Sequence, residues 1–250
     1  MAGFQQVIVL RDLDFSRGAA AYQPNVKGPI MTELKIFDET FMADSDEHDW
    51  NEEEVNGVTI AHSAADAGAM TMTAGGTDDD CGELSHTAQW TAAKNCGVEV
   101  WLKISQITSI CVAAGFVDAK TATNDRIAME MDAATLKNMT GTADCCGLLF
   151  DTDATTGVWY CVAANNGTEG TPVAALGSLA PVAATYVKLR IQTDSTGKVA
   201  YYYNGVAVGS QAAAIAAAST DLLTPYVGFI SRSTAAAVCT IARITTWQEF

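Results

Sequence analysis

The sequence predicts an all-β fold: an antiparallel β-sandwich preceded by an extended N-terminal arm. Three observations carry this. In residues 186–193 the apolar Val187, Leu189 and Ile191 alternate with Lys188, Arg190 and Gln192, a period of two that puts one face inside and one in water. Asp194-Ser195-Thr196-Gly197 then turns the chain into residues 198–203, where Val199, Tyr201 and Tyr203 share a face, and Asn204-Gly205 turns it again toward Val206-Ala207-Val208. Asn-Gly is a two-residue hairpin signal because both central positions of a type I′ turn need positive φ. Finally, about a dozen short strand-like runs recur along the chain between turn-forming residues, the spacing expected of a sandwich.

Taken in order, residues 1–33 stand apart. The β-prone run Val7-Ile8-Val9-Leu10 leads into a charged patch of Arg11, Asp12, Asp14 and Arg17. A stretch containing Gly18, Pro24, Gly28 and Pro29 follows, which disfavours helix and central strand alike. This reads as an extended arm, the competing reading being a first core strand plus a loop. Residues 34–250 form the sandwich. Its first strand is 34–37, followed by an acidic loop over 44–54 and strands at 58–61 and 70–73. Residues 97–105 alternate cleanly, with Val98, Val100, Leu102 and Ile104 inward and Glu99, Trp101, Lys103 and Ser105 outward. Strands follow at 110–117, 126–131, 147–150 and 158–163, then the three-strand run, then 226–230 and 238–247. Two short helices are expected: 132–138, with Asp132 as its N-cap, and the Ala-rich 211–218.

Composition narrows the function classes. The chain has 250 residues, 49% hydrophobic and 17% charged, enough apolar material for a sizeable core. Its net charge of −15 repels nucleic acid and anionic membranes, so neither is an expected partner. No apolar run is long enough to span a bilayer. The N-terminus lacks the basic and apolar regions of a signal peptide, so folding in a cytoplasm is expected. Seven cysteines without a secretory leader, and no Cys-x-x-Cys pair, read as buried free thiols rather than disulfides or a zinc site.

Chemistry-bearing patterns are sparse. The three histidines, His48, His62 and His86, all precede residue 90, and no Gly-x-Ser-x-Gly elbow supports a nucleophilic serine. Glu130-Met131-Asp132 places two acids at i, i+2 as sandwich glycosidases do, but no third acid follows, and the pair reads as a strand end entering a turn. The oxygen-rich turns at 44–49, 78–80 and 151–153 read as solvated loops, Asp being a common turn former. No catalytic residue, metal or cofactor is expected. Trp101 and Tyr202, on outward positions of their strands, are the expected partner-binding aromatics.

One resemblance emerges from these motifs. Gly115-Phe116-Val117-Asp118, Gly147-Leu148-Leu149-Phe150-Asp151-Thr152-Asp153, Trp159-Tyr160-Cys161-Val162-Ala163, the run from Tyr186 to Gly205, Leu223-Thr224-Pro225-Tyr226-Val227-Gly228 and Ala242-Arg243-Ile244-Thr245-Thr246-Trp247 follow one another in this order. The series resembles the concanavalin/laminin-G-type jelly roll of structural proteins from tailed bacteriophages, over residues 34–250. The resemblance implies a jelly-roll β-sandwich whose first and last strands lie together, pairing 34–37 with 241–247. It also implies a virion component on the outer capsid surface, made in the host cytoplasm.

These readings converge on a non-enzymatic capsid decoration (cement) protein. Its expected partners are the major capsid protein and neighbouring copies of itself, in keeping with the trimers common among such proteins. The expected contacts are Val7, Ile8, Val9, Leu10, Arg11 and Arg17 of the arm, with Val7 to Leu10 adding a strand to an exposed coat edge and the arginines pairing with carboxylates. Trp101 and Tyr202 complete the set. The alternative is a carbohydrate- or receptor-binding module of a head or tail appendage, using the same two aromatics.

Overall fold

A computed structural model describes residues 34–41, 50–66, 68–119, 126–138, 144–212 and 221–249, all within the unit Glu33–Phe250. The expected arm, with Val7, Ile8, Val9, Leu10, Arg11 and Arg17, lies outside the described residues. So do most of the Ala-rich segment expected to be helical and the acidic turn at 44–49.

Two antiparallel sheets face each other. The first contains β1 (Leu34–Glu39), β3 (Thr59–His62), β4 (Met70–Thr73), β6 (Gly97–Ile104), β14 (Val187–Thr193), β15 (Val199–Tyr203), β16 (Val206–Gln211) and β18 (Val238–Glu249). Its spatial order is β16-β15-β14-β6-β18-β4-β3, with β1 paired to the far end of β18. The second contains β2 (Asn51–Val55), β5 (Cys81–Ser85), β7 (Ile110–Val117), β10 (Cys145–Asp151), β11 (Tyr160–Asn165), β12 (Thr168–Glu169), β13 (Val173–Ala174) and β17 (Thr224–Ser231). Its order is β12-β11-β10-β7-β17-β5-β2, with β13 also on β11. This is the concanavalin-like jelly roll. The first and last strands pair as expected, from Leu34 opposite Glu249 to Glu39 opposite Ile244.

The alternation in the sequence is the alternation in space. Val98, Val100, Leu102 and Ile104 of β6 and Val187, Leu189 and Ile191 of β14 enter a core shared with Phe116, Phe150, Trp159, Tyr201 and Phe229 of the two sheets and their loops. The Asn204-Gly205 turn has φ of 49° and 82°, the left-handed pair that a type I′ hairpin needs. All seven cysteines are free and buried. Burial pushes the thiols of Cys96, Cys145, Cys161 and Cys239 up to about 12, so they pack as small hydrophobes.

Three expectations are corrected. Residues 132–138 are not a helix but part of a hairpin of β8 (Met129–Asp132) and β9 (Thr135–Asn138). Ala133 has a φ of 53°, outside the helical region, and the turn it makes sets Leu136 opposite Met131 in a second core. That core also holds Cys111, Leu149, Tyr226 and Ile230, so the hairpin covers the outward side of the second sheet. The expected acidic loop contains edge strand β2, Asn-Glu-Glu-Glu-Val, whose charges suit an edge that must not pair further. Gln211 ends β16 rather than opening a helix.

Candidate functional site

The β8–β9 hairpin covers the outward side of the second sheet, whereas the outward face of the first sheet carries the exposed Trp101. Alternation places Glu99, Trp101 and Lys103 of β6 there, together with Lys188 and Arg190 of β14, Tyr202 of β15 and Arg243 and Thr245 of β18. Register decides which meet. Trp101 lies between Lys188 and Arg243, and Glu99 opposite both Arg190 and Thr245, while Arg190 faces Tyr202 on its other side.

The cations are arranged in defined ways. Lys188 Nζ sits 4.4 Å from the Trp101 ring centre and 3.5 Å from Glu99 Oε1. The same Glu99 oxygen accepts the Trp101 indole N–H at 3.2 Å, so Glu99 holds both neighbours. Arg243 donates through Nε and Nη2 to the two oxygens of Asp38 at 2.8 and 2.7 Å, a bidentate pair joined by the Thr245 hydroxyl at 2.7 Å. The Asp38 hydrogen bond holds the Arg243 guanidinium above its ordinary pKa. Lys103 Nζ bonds Asp66 at 2.8 Å and lies 4.8 Å from the Tyr186 ring centre. The Asp66 bond raises the Lys103 ammonium in the same way. Arg190 differs: among the described residues it has no carboxylate partner, its Nε has no hydrogen-bond partner, and its guanidinium lies 3.9 Å from the centre of the Tyr202 ring.

Trp101 is 37% exposed, as its outward position predicts. Tyr202 is corrected: only 8% of it is exposed, because Arg190 lies over its ring. What the face offers a partner is therefore Trp101 and Arg190, with Tyr202 as the support beneath the guanidinium. Lys188 and Arg190 were readable as wet-face residues, but their roles, like that of Arg243, depend on strand register, which no local pattern reveals.

A second polar cluster lies where the hairpin meets the second sheet. Arg232 Nη2 bonds Asp151 at 2.8 Å and Glu130 at 3.1 Å, and the same guanidinium approaches Asp153 at 3.4 Å and Asp79 at 3.6 Å. Arg126 pairs with the other Glu130 oxygen. Arg126, Glu130, Asp153 and Arg232 of this cluster border a cleft of about 550 Å³ that Met131, Asp132 and Lys137 also line. Asp151 is fully buried, which corrects its reading as part of a solvated turn. Glu130-Met131-Asp132 is a strand end entering a turn, as read. Both Glu130 oxygens are engaged by guanidinium groups, while Asp132 is exposed and 3.8 Å from Lys137. Among the described residues, no group of three or more His, Cys, Asp or Glu side chains converges as a metal centre, and no helix is long and apolar enough to cross a membrane.

No protein-family profile matches the sequence, and no curated protein does. Solved structures do resemble the fold. The carbohydrate recognition domain of Emp47p superposes with a TM-score of 0.57 at 10% identity, over 89% of this chain and 100% of that one. The β-glucanase of Bacillus licheniformis gives a TM-score of 0.58 at 13% identity, over 86% and 98% of the two chains. The cellulose induced protein Cip1 gives 0.53 at 12% identity, over 84% and 96%. At such identities the likeness is one of fold.

Proposed function

We propose that this chain is a non-catalytic binding module, a decoration protein of a bacteriophage head that docks on the major capsid protein shell and on neighbouring copies of itself through the outward face of the first sheet. The observation that carries the docking face is the pairing of exposed Trp101 with Arg190, a cation that makes no salt bridge among the described residues. Trp and Arg are the side chains that most often dominate protein interfaces. The surrounding ion pairs hold their neighbours in place, so little side-chain entropy is lost on docking. The virion assignment rests on the resemblance of the strand and turn motifs to phage structural proteins. The arm bearing Val7 to Leu10, Arg11 and Arg17 is the second proposed contact, and the outer capsid surface the proposed location.

The non-catalytic reading draws on Glu130, whose two oxygens are both held by arginines and leave no open oxygen for a glycosidic bond. A second reading, a carbohydrate-binding module, is favoured by the exposed Trp101 ring and by the carbohydrate recognition domain among the similar folds. Co-sedimentation of the purified chain with phage shells assembled without it, run beside a glycan array, separates the two. Saturable binding to shells with a silent array supports decoration. Array binding without shell binding selects the carbohydrate reading and rejects decoration.

A further inference from the structure

The two lateral edges of the sandwich differ in charge. One edge of the second sheet is β2, Asn-Glu-Glu-Glu-Val, whose glutamates discourage further pairing. The opposite edge of that sheet holds β12 and β13, and the first sheet ends beside it in β16. The Gln211 side chain of β16 joins the two, donating to the Cys161 carbonyl of β11 at 2.9 Å. This second edge lacks the protecting charges. Residues 170–187 and 199–212 contain no Lys, Arg, Asp or Glu, in a chain whose net charge is −15.

Between β13 and β14 the uncharged chain forms a strap with a fixed main chain. The Leu176 N–H donates to the Val208 carbonyl at 2.8 Å, the Leu179 carbonyl accepts the Trp159 N–H at 2.8 Å, and the Ala184 N–H donates to the Ile104 carbonyl at 2.7 Å. Ala175 and Pro181 are buried, whereas Leu176 is 69% exposed and Val182 59%. Val206, 66% exposed, lies two residues before Val208 on the strand that anchors Leu176, and Val173 of β13 is exposed as well. Large apolar side chains held in water without a charge among them mark a docking surface. Their fixed main chain keeps the entropy lost on docking small. Leu176 already occupies the Val208 carbonyl, so a partner packs on these side chains rather than adding a strand.

Charge selects the partner. A two-fold contact lays a patch on its own copy, so a charge within the patch meets its like. An acidic chain resists such contact over most of its surface, but an uncharged apolar edge is complementary to itself. We propose that this edge is the contact between two copies of the chain, related by a two-fold axis, with Leu176, Val182 and Val206 at its centre. The contact goes beyond the docking face of the first sheet and stands whatever that face meets.

The test uses the full chain alone, without shells, in sedimentation runs from about 1 μM to about 1 mM. A dimer should form. It should tighten as sodium chloride rises from about 0.1 M to about 1 M, because the screening length falls from about 10 Å to about 3 Å and two acidic copies repel less. Association through Arg190 and its neighbours would weaken with salt instead, so the two surfaces are told apart. Leu176→Asp combined with Val206→Asp sets like charges across the axis and should weaken the dimer by about tenfold or more. Leu176→Ser adds no charge and should weaken it in the same direction by a smaller factor. A chain that stays monomeric throughout, a dimer that dissociates as salt is added, or one that neither variant weakens would overturn the proposal.

Discussion

The Arg190 guanidinium lies over the Tyr202 ring, 3.9 Å from its centre, across the β14–β15 pair. Stacking fixes the plane of the guanidinium and leaves its outer N–H groups for a partner carboxylate. Arg190→Ala should weaken docking on bare shells by about tenfold, equivalent to ~1.4 kcal/mol. Trp101→Ala should cost at least as much. Neither residue belongs to the core, so both variants should keep the parent melting temperature to within about 2 °C. Binding isotherms beside thermal melts check the pair, and unchanged isotherms would remove this face from the account.

Arg232 is the keystone beneath the β8–β9 hairpin. Replacing it by Met leaves Asp151, with no exposed surface, and Glu130, 5% exposed, without one of their cations. Breaking a buried ion network from one side costs about 3–5 kcal/mol. Urea unfolding of Arg232→Met should show that loss, and adding Asp151→Asn should restore part of it. A variant as stable as the parent would mean that the hairpin is held by its apolar contacts alone.

Asp144 carries a pH signature. Burial, reinforced by Asp118 and Asp221 nearby, raises its carboxyl above the ordinary value of 3.8, against the opposing Asn166 amide. The folded state therefore holds this proton more tightly than the unfolded chain does. The associated stability is fully present below about pH 4 and is lost as the pH climbs through the raised folded value. Asp144→Asn should flatten that part of the melting-temperature profile between pH 4 and 7 and be the more stable form at pH 7. A variant profile parallel to the parent's would reject the assignment.

β6 and β14 were plain because each is buried on one side only, and one-sided burial writes a period of two. β5 was missed: Cys81-Gly82-Glu83-Leu84-Ser85 is buried on both sides, so it has no alternation. Its Glu83 looks like a surface residue until β17 brings the Tyr226 hydroxyl, and the segment before β8 the Ala128 N–H, to the same carboxylate oxygen. The β8–β9 hairpin was misread because Ala133-Ala134 and Leu136-Lys137 are good helix formers, and only the second core beneath Leu136 favours a strand. The candidate face was half legible. Trp101 could be placed in water from its neighbours, whereas the cover over Tyr202 depends on Arg190, a partner on another strand.

Deleting residues 2–30 tests the arm. If Val7 to Leu10 add a strand to the coat, the loss of main-chain hydrogen bonds should lower shell affinity by at least tenfold, while the jelly roll melts as before. Equal affinity of the truncated and full chains, measured by co-sedimentation, would confine docking to the sandwich.

The most direct measurement is the oxidation rate of the Trp101 indole under hydroxyl-radical footprinting, read by mass spectrometry for the free chain and for the chain on capsid shells. Docking through the first sheet predicts strong protection of Trp101 on shells, with the already buried Trp90 and Trp159 unchanged. A Trp101 that oxidises equally fast in both states would contradict the claim that this face is where the protein meets its partner.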